Sequence, residues 1–301
     1  MRAIACTLGL VFALALTACG GADKPTATTA ADEPVRIGSK NFTESKILGE
    51  LYKQALEAKG INVELRSNVG STELVNRALR NDLLDMYPEY VGVLLSEVDG
   101  ILDRPANADA AYTLAKGVEE RRHLTLLDQT TFSNENALVV TKRFSRSHHV
   151  RAIPDLARLR RPNILAAPEF KDRFEGVIGL GRVYGLRSVK VTSWGTAGEQ
   201  YPALDAGKTD IAVAYTTDSQ LASGRYSLLD DPKGLFAEQH LAPVISQKVL
   251  RAHGPKLASA INAVSALLTT KVMRELNAKV DTAKRMPRDV AAEFLRDHEL
   301  A

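Results

Sequence analysis

Two hydrophobic periods take turns along the chain, and their alternation predicts an α/β fold. Val35-Arg36-Ile37-Gly38-Ser39 reads as a short strand. From Glu44 to Lys59 the period becomes helical, with Ile47, Leu48, Leu51, Tyr52, Ala55 and Leu56 on one face and Gly60 as the stop. Ile61 to Leu65 returns to a strand pattern. Ile211-Ala212-Val213-Ala214 is a continuous apolar run, as expected of a strand covered on both faces. Met86-Tyr87-Pro88-Glu89 is less apolar, and Pro88 argues for a sheet edge or a strand terminus. The far end is helical: 257–268, 272–280 and 287–300, with Pro287 suited to a first turn. The middle holds Arg-, Gly- and Pro-rich loops, including His148-His149 and Arg158 to Pro162.

An internal echo organises this pattern. Gly70-Ser71, Ala78-Leu79, Asp85 and Tyr90 recur as Gly195-Thr196, Ala203-Leu204, Asp210 and Tyr215, with no gap between the copies. Each copy reads as a small polar turn, a short helix, a turn and a strand ending in tyrosine. Two such units imply two lobes. In open α/β sheets ligands collect beyond the carboxyl ends of strands, so Ser71, Thr72 and Tyr90 should face Thr196 and Tyr215 across a cleft. Tyr87 is expected near that cleft, and Tyr201 is expected to pack its own helix.

The N-terminus changes the picture. Arg2 precedes an apolar stretch, Ala3 to Leu16, too short for a stable membrane span. It ends in Leu16-Thr17-Ala18-Cys19-Gly20, which resembles a bacterial lipobox. Residues 1–18 are therefore expected to be a lipoprotein signal peptide, with lipidation at Cys19. The segment 19–33 is small, polar and Thr/Ala-rich, a flexible tether. The only other cysteine, Cys6, lies in the leader, so the mature chain would hold no disulfide or cysteine metal site.

Composition narrows the function. With 301 residues, 45% hydrophobic and 25% charged, the chain can build two ordinary lobes. Net charge is only +3, with no basic run long enough for a nucleic-acid arm. Gly179 to Gly185 has the wrong spacing for a dinucleotide loop, and there is no phosphate loop or nucleophile elbow. The six histidines form no metal-ligand pair. An enzyme is not expected, and no cofactor is implied.

Five segments, in order, resemble the glycine betaine/choline/carnitine substrate-binding proteins of ABC importers. They are 39–44 (SKNFTE), 85–90 (DMYPEY), 167–186 with Ala167-Pro168-Glu169-Phe170, Arg173 and Gly176, 214–218 (AYTTD) and 229–234 (LDDPKG). The resemblance implies a bilobed type II periplasmic-binding-protein fold, with lobes of 34–136 plus 240–301 and 137–239. It also implies a small quaternary-ammonium ligand held by aromatic faces, and partners in an ABC permease and its ATPase. The expected place is the cell envelope, lipid-anchored on the outer face of the cytoplasmic membrane or in the periplasm.

Carried over residue by residue, Tyr90 and Tyr215 stand at cage-tyrosine positions. Lys40 and Arg173 stand at positions for charged contacts to the ligand or across the cleft; Glu169 accompanies Arg173, and a structural ion pair between the two is the alternative reading. The chain departs from the pattern at Asn136 and Gln239, where the family usually has tyrosine, and at Val93, where threonine is frequent. Part of the cage is therefore expected to be replaced by amides, which would disfavour simple glycine betaine. A different polar cationic solute, a solute sensor for a membrane receptor and a secreted hydrolase are the other readings.

Overall fold

The computed structural model describes residues 33–101, 105–193, 199–236 and 239–301. The leader, most of the tether with Cys19, and Gly195-Thr196 lie outside the described residues. Among the described residues ten strands form two five-stranded sheets of mixed direction. The first takes β1 (Val35–Lys40), β2 (Val63–Gly70), β3 (Met86–Tyr90), β4 (Leu124–Leu126) and β10 (Leu241–Ser246). The second takes β5 (Asn136–Thr141), β6 (Asn163–Ala166), β7 (Lys190–Ser193), β8 (Ile211–Tyr215) and β9 (Tyr226–Leu228). Their orders, β2-β1-β3-β10-β4 and β7-β6-β8-β5-β9, correspond strand for strand. In each, two parallel pairings precede two antiparallel ones, β3–β10–β4 in the first sheet and β8–β5–β9 in the second. The echo in the sequence thus extends to topology.

The first sheet carries the larger core. Helix α1 (Thr43–Ala58) buries the predicted face, with Ile47, Leu48, Leu51, Tyr52 and Leu56 fully covered. It packs against Pro255–Leu267, Thr270–Asp281 and Pro287–Asp297, which supply Ile261, Met273 and Leu295 to the same cluster. Gly60, at φ +72°, turns the chain out of α1 toward β2 in a left-handed conformation that a β-carbon would strain. The opposite face holds a second cluster, where α2 (Thr72–Arg80) contributes Val75 and Leu79. The second sheet sends Leu138, Ile164 and Ile211 into one cluster with Leu180, and Val139 and Ala212 into another with Tyr201.

Pro88 corrects the sequence reading: β3 is the central strand of its sheet, not an edge. It lies opposite Pro243 of β10, at a position between the hydrogen-bonded pairs, where neither ring nitrogen is asked to donate. On the other side β1 pairs with β3 only at Ile37–Met86 and has diverged before Pro88. The two prolines are tolerated because each meets the other. His148 likewise differs from expectation: it ends the helix Lys142–His148 and stacks on Phe144, with ring centroids 4.2 Å apart.

Two segments carry the chain between the sheets, and they are bonded to each other. Ser133 and His240 form an antiparallel bridge, the Asn134 N–H donates to the Gln239 carbonyl at 3.1 Å, and the Gln239 N–H donates to Ser133 Oγ at 2.6 Å. Among the described residues no helix is long and apolar enough to cross a membrane.

Candidate functional site

A cavity of about 700 Å³ opens where the carboxyl ends of β1, β3 and β8 converge. That volume lies within the range of small-molecule sites. Both sheets line it: the β1–α1 turn and the end of β3 from one side, Tyr215 and the turn after β8 from the other. The helix Thr270–Asp281 closes one flank through Asn277 and Asp281.

The wall from the first sheet is buried and tightly bonded. Lys40, last residue of β1, places its Nζ 2.5 Å from Glu89 Oε1 and donates to Thr72 Oγ1 at 3.2 Å. Thr72 in turn donates to Glu89 Oε2, and the Tyr90 N–H donates to Glu89 Oε1. The pair is almost wholly covered, with 6% and 0% of the side chains exposed. The Lys40 ammonium sits 4.8 Å from the Tyr90 ring centroid and 5.5 Å from that of Phe42, so it already occupies an aromatic cleft. Phe42 and Tyr90 are stacked at 6.4 Å.

Behind Tyr90 lies Glu44, buried in the first turn of α1. It accepts from Tyr90 Oη at 2.5 Å, Asn134 Nδ2 at 3.2 Å and Asn277 Nδ2 at 2.8 Å. Burial raises its pKa, and the hydrogen bonds from Tyr90, Thr217, Asn277 and Asn134 pull against that rise. Burial, and then the charge of Glu44, push the Tyr90 hydroxyl well above its ordinary range. A carboxyl held in this way is deprotonated more readily when a cation arrives beside it.

The opposing wall is more open. Tyr215 is 47% exposed at the end of β8, whereas Tyr90 is only 6% exposed. Asp218, in the turn that follows, accepts from the Tyr215 N–H at 3.0 Å and Tyr201 Oη at 2.8 Å. Its pKa is raised by burial, against those hydrogen bonds. Asp281 accepts from Thr43 Oγ1 at 2.6 Å. Among the described residues the lining therefore carries Glu44, Asp218 and Asp281 against a single cation, Lys40, which is itself paired with Glu89.

Of the residues singled out in the sequence, the cavity brings together Lys40, Tyr90 and Tyr215. Asn136 does not line it: paired across β5 and β8 with Tyr215, it donates through Nδ2 to Glu175 at 2.9 Å. Gln239 is held at the crossing, its Oε1 accepting from the Val93 N–H at 3.2 Å. A Cβ at Gly92 would stand 2.6 Å from both amide heteroatoms of Gln239, so that glycine admits the contact. Arg173 is exposed ahead of the turn Phe174–Ile178, away from the lining, and the Glu169 side chain lies outside the described residues. Val93 does line the cavity. Tyr87 does not: it points to the opposite face of β3, fully buried, and accepts from Asn76 Nδ2. Tyr201 packs edge-on against Tyr226 of β9 and supports the lining only through its hydrogen bond to Asp218.

Phe42, Glu44, Asp218, Asn277 and Asp281 were not singled out in the sequence. Phe42, Glu44 and Asp218 stand inside the segments that carry the resemblance, and their position beside Lys40 and Tyr215 was the available signal. Asn277 and Asp281 lie on a helix remote in sequence, with no local cue.

Comparison with known proteins places the geometry. Residues 33–297 match the family model described as the substrate-binding domain of the ABC-type glycine betaine transport system. The chain is 32% identical over 279 residues to a glycine-betaine-binding protein of Pseudomonas aeruginosa, covering 89% of each. It is 28% identical to a carnitine transport binding protein of Listeria monocytogenes, over 92% of this chain and 88% of that one. A solved glycine betaine/carnitine/choline ABC transporter structure superposes with a TM-score of 0.80 at 26% identity, over 88% of this chain and 99% of the other.

Proposed function

The chain belongs to the substrate-binding family of ABC-type glycine betaine transport systems, a family of transport proteins rather than enzymes, and from that premise we propose what it captures and how. It binds a small quaternary-ammonium or betaine-like solute in the cavity between the sheets and delivers it to an ABC permease driven by an ATPase. One observation carries this reading: three aromatic rings and three carboxylates converge on a cavity whose single ammonium is already neutralised. A quaternary ammonium cannot donate hydrogen bonds, and it is stabilised by ring faces and by nearby negative charge. Phe42 and Tyr90 offer a stacked pair from one side, and the exposed ring of Tyr215 offers a third from the other.

Lys40 gives the site polarity. A ligand carboxylate would turn toward its ammonium, while the cationic end settles against the rings beside it. Closure about the two crossing segments would then bring the second sheet down on the ligand, with Asn136, Arg173 and Gln239 acting on the closed form rather than lining the open cavity. We take the lobes as 34–136 plus 240–301 and 137–239, a division supported by the strand content of each sheet. The lipobox-like Leu16-Thr17-Ala18-Cys19 supports an envelope protein anchored through Cys19.

Titration calorimetry with choline, carnitine and glycine betaine tests the assignment, with Phe42→Leu and Tyr215→Leu as controls at exposed rings. Saturable binding of at least one solute, weakened about two- to thirtyfold by each change, is the expected result. Folded protein that binds none of the three would overturn it.

A further inference from the structure

One segment holds charge out of proportion to its length. Residues 142–161 contain seven Lys or Arg and a single carboxylate, Asp155, a surplus of six, whereas the whole chain is +3, leaving the remainder net negative by three. All seven cations are exposed. Arg158 pairs with Asp155 at 2.8 Å; among the described residues the other six make no ion pair. Asp155 is further occupied by the backbone N–H groups of Arg151 and Ala152. Arg187 and Lys190, also exposed, extend the same surface beside Pro162; Asp230 lies beside Ala152, and Asp210 and Asp205 stand at the same edge, Asp205 paired with Arg225.

Strand direction says where this surface lies. Tyr215 ends β8 at the cavity, and Ile211 begins it at the far edge. Antiparallel β5 starts beside Tyr215 and finishes beside Ile211, so the helix Lys142–His148 leaves from the far edge. Parallel β6 starts beside Ile211, so Arg160 and Arg161, which lead into it, lie at that edge too. The basic surface is the pole of the second half remote from the cavity, and it neither funnels ligand nor takes part in the cleft.

We propose that this pole docks electrostatically on an anionic phospholipid surface, through phosphodiester headgroups gripped by unpaired guanidinium groups. A protein partner fits less well. Protein interfaces centre on desolvated apolar or aromatic anchors and are depleted of charge at the centre, and none of the large exposed apolar side chains falls in 142–161. A diffuse field of like charge, spread over a helix, a turn and a loop, matches the diffuse negative field of a headgroup layer. The opposite sign of the remainder orients the molecule as it approaches.

The test uses the chain from residue 19 onward carrying Cys19→Ala, so that neither the apolar leader nor an acyl chain contributes, in flotation with vesicles. Binding to phosphatidylglycerol-containing vesicles should exceed binding to phosphatidylcholine alone and vanish near 1 M salt, where the Debye length falls to about 3 Å. The variant Arg143→Gln/Arg146→Gln/Arg160→Gln/Arg161→Gln should bind phosphatidylglycerol two to three orders of magnitude more weakly, at roughly fivefold per charge, with its melting temperature and solute binding unchanged. Equal binding to both lipids, or equal binding by variant and parent, overturns the proposal. Retention on immobilised polyglutamate without retention on vesicles also overturns it, and assigns an acidic polypeptide instead.

Discussion

The two halves of the molecule share a strand order but meet the cavity in different states. The first presents a finished wall, in which Lys40, Glu89 and Thr72 are buried in mutual hydrogen bonds and Tyr90 is fixed on Glu44. The second presents an exposed ring, Tyr215, on a turn held by Asp218. The cores differ in the same sense. Helix α1 spans 16 residues and three long C-terminal helices pack behind it, whereas Lys142–His148, Gly179–Tyr184 and Gln200–Asp205 run to only seven or six. A duplicated topology therefore does not give duplicated roles. In the proposed function one copy is preorganised and would hold the ligand's polar end, and the other would supply a cover.

The contrast breaks first on stability. Glu89→Ala would leave the Lys40 ammonium buried without an anion, and chemical denaturation should show a loss of about 3–5 kcal/mol. A loss below about 1 kcal/mol would mean that the first wall is not a built network. Next comes affinity for a quaternary ammonium. Tyr90→Leu, at a desolvated ring, should weaken binding about thirtyfold, and Tyr215→Leu, at an open one, about two- to fivefold. Equal effects in calorimetry would show that closure buries Tyr215 as deeply as Tyr90.

Acidity sharpens the picture further. Glu44 and Asp218 both have pKa values raised by burial. The stability that goes with a raised carboxyl pKa is present below the unfolded value and is lost as pH rises through the folded one, because the folded state binds the extra proton. A cation in the cavity favours the ionised form instead. Binding of choline should therefore tighten as pH climbs above about 4.5 and should release protons, which calorimetry in buffers of different ionisation enthalpy would read. Pure uptake of protons would contradict the assignment of these carboxyls to the site. The smallest effect belongs to Asn136→Ala, which removes one half-buried hydrogen bond to Glu175. It should cost about 1 kcal/mol of stability and change open-state affinity less than twofold.

The sequence was legible where periodicity or local chemistry acts alone. The buried face of α1, its stop at Gly60 and the three C-terminal helices follow from spacing, and the paired ends of β3 and β8 follow from the echo. It was illegible where a partner distant in the chain decides. Pro88 reads as an edge residue until Pro243 is set opposite it. Tyr87 reads as a lesser tyrosine near the cleft until the pleat sends it to the face opposite Tyr90. Asn136 and Gln239 read as replacements for cage rings, yet one is held by Glu175 and the other by the Val93 backbone. Asn277 and Asp281 reach the cavity only because a helix from the end of the chain folds back across α1.

The bonded crossing at Ser133, Asn134, Gln239 and His240 has a mechanical consequence. Two chain segments joined edge to edge form a ribbon, and a ribbon bends readily about one axis while resisting torsion and shear. In the closure proposed above, such a ribbon would confine relative motion of the halves to one coordinate and carry Tyr215 along one arc toward the face of Tyr90. Little orientational entropy would then remain to be lost at the moment of capture, and the free energy of ligand contact would go into holding the arc at its closed end.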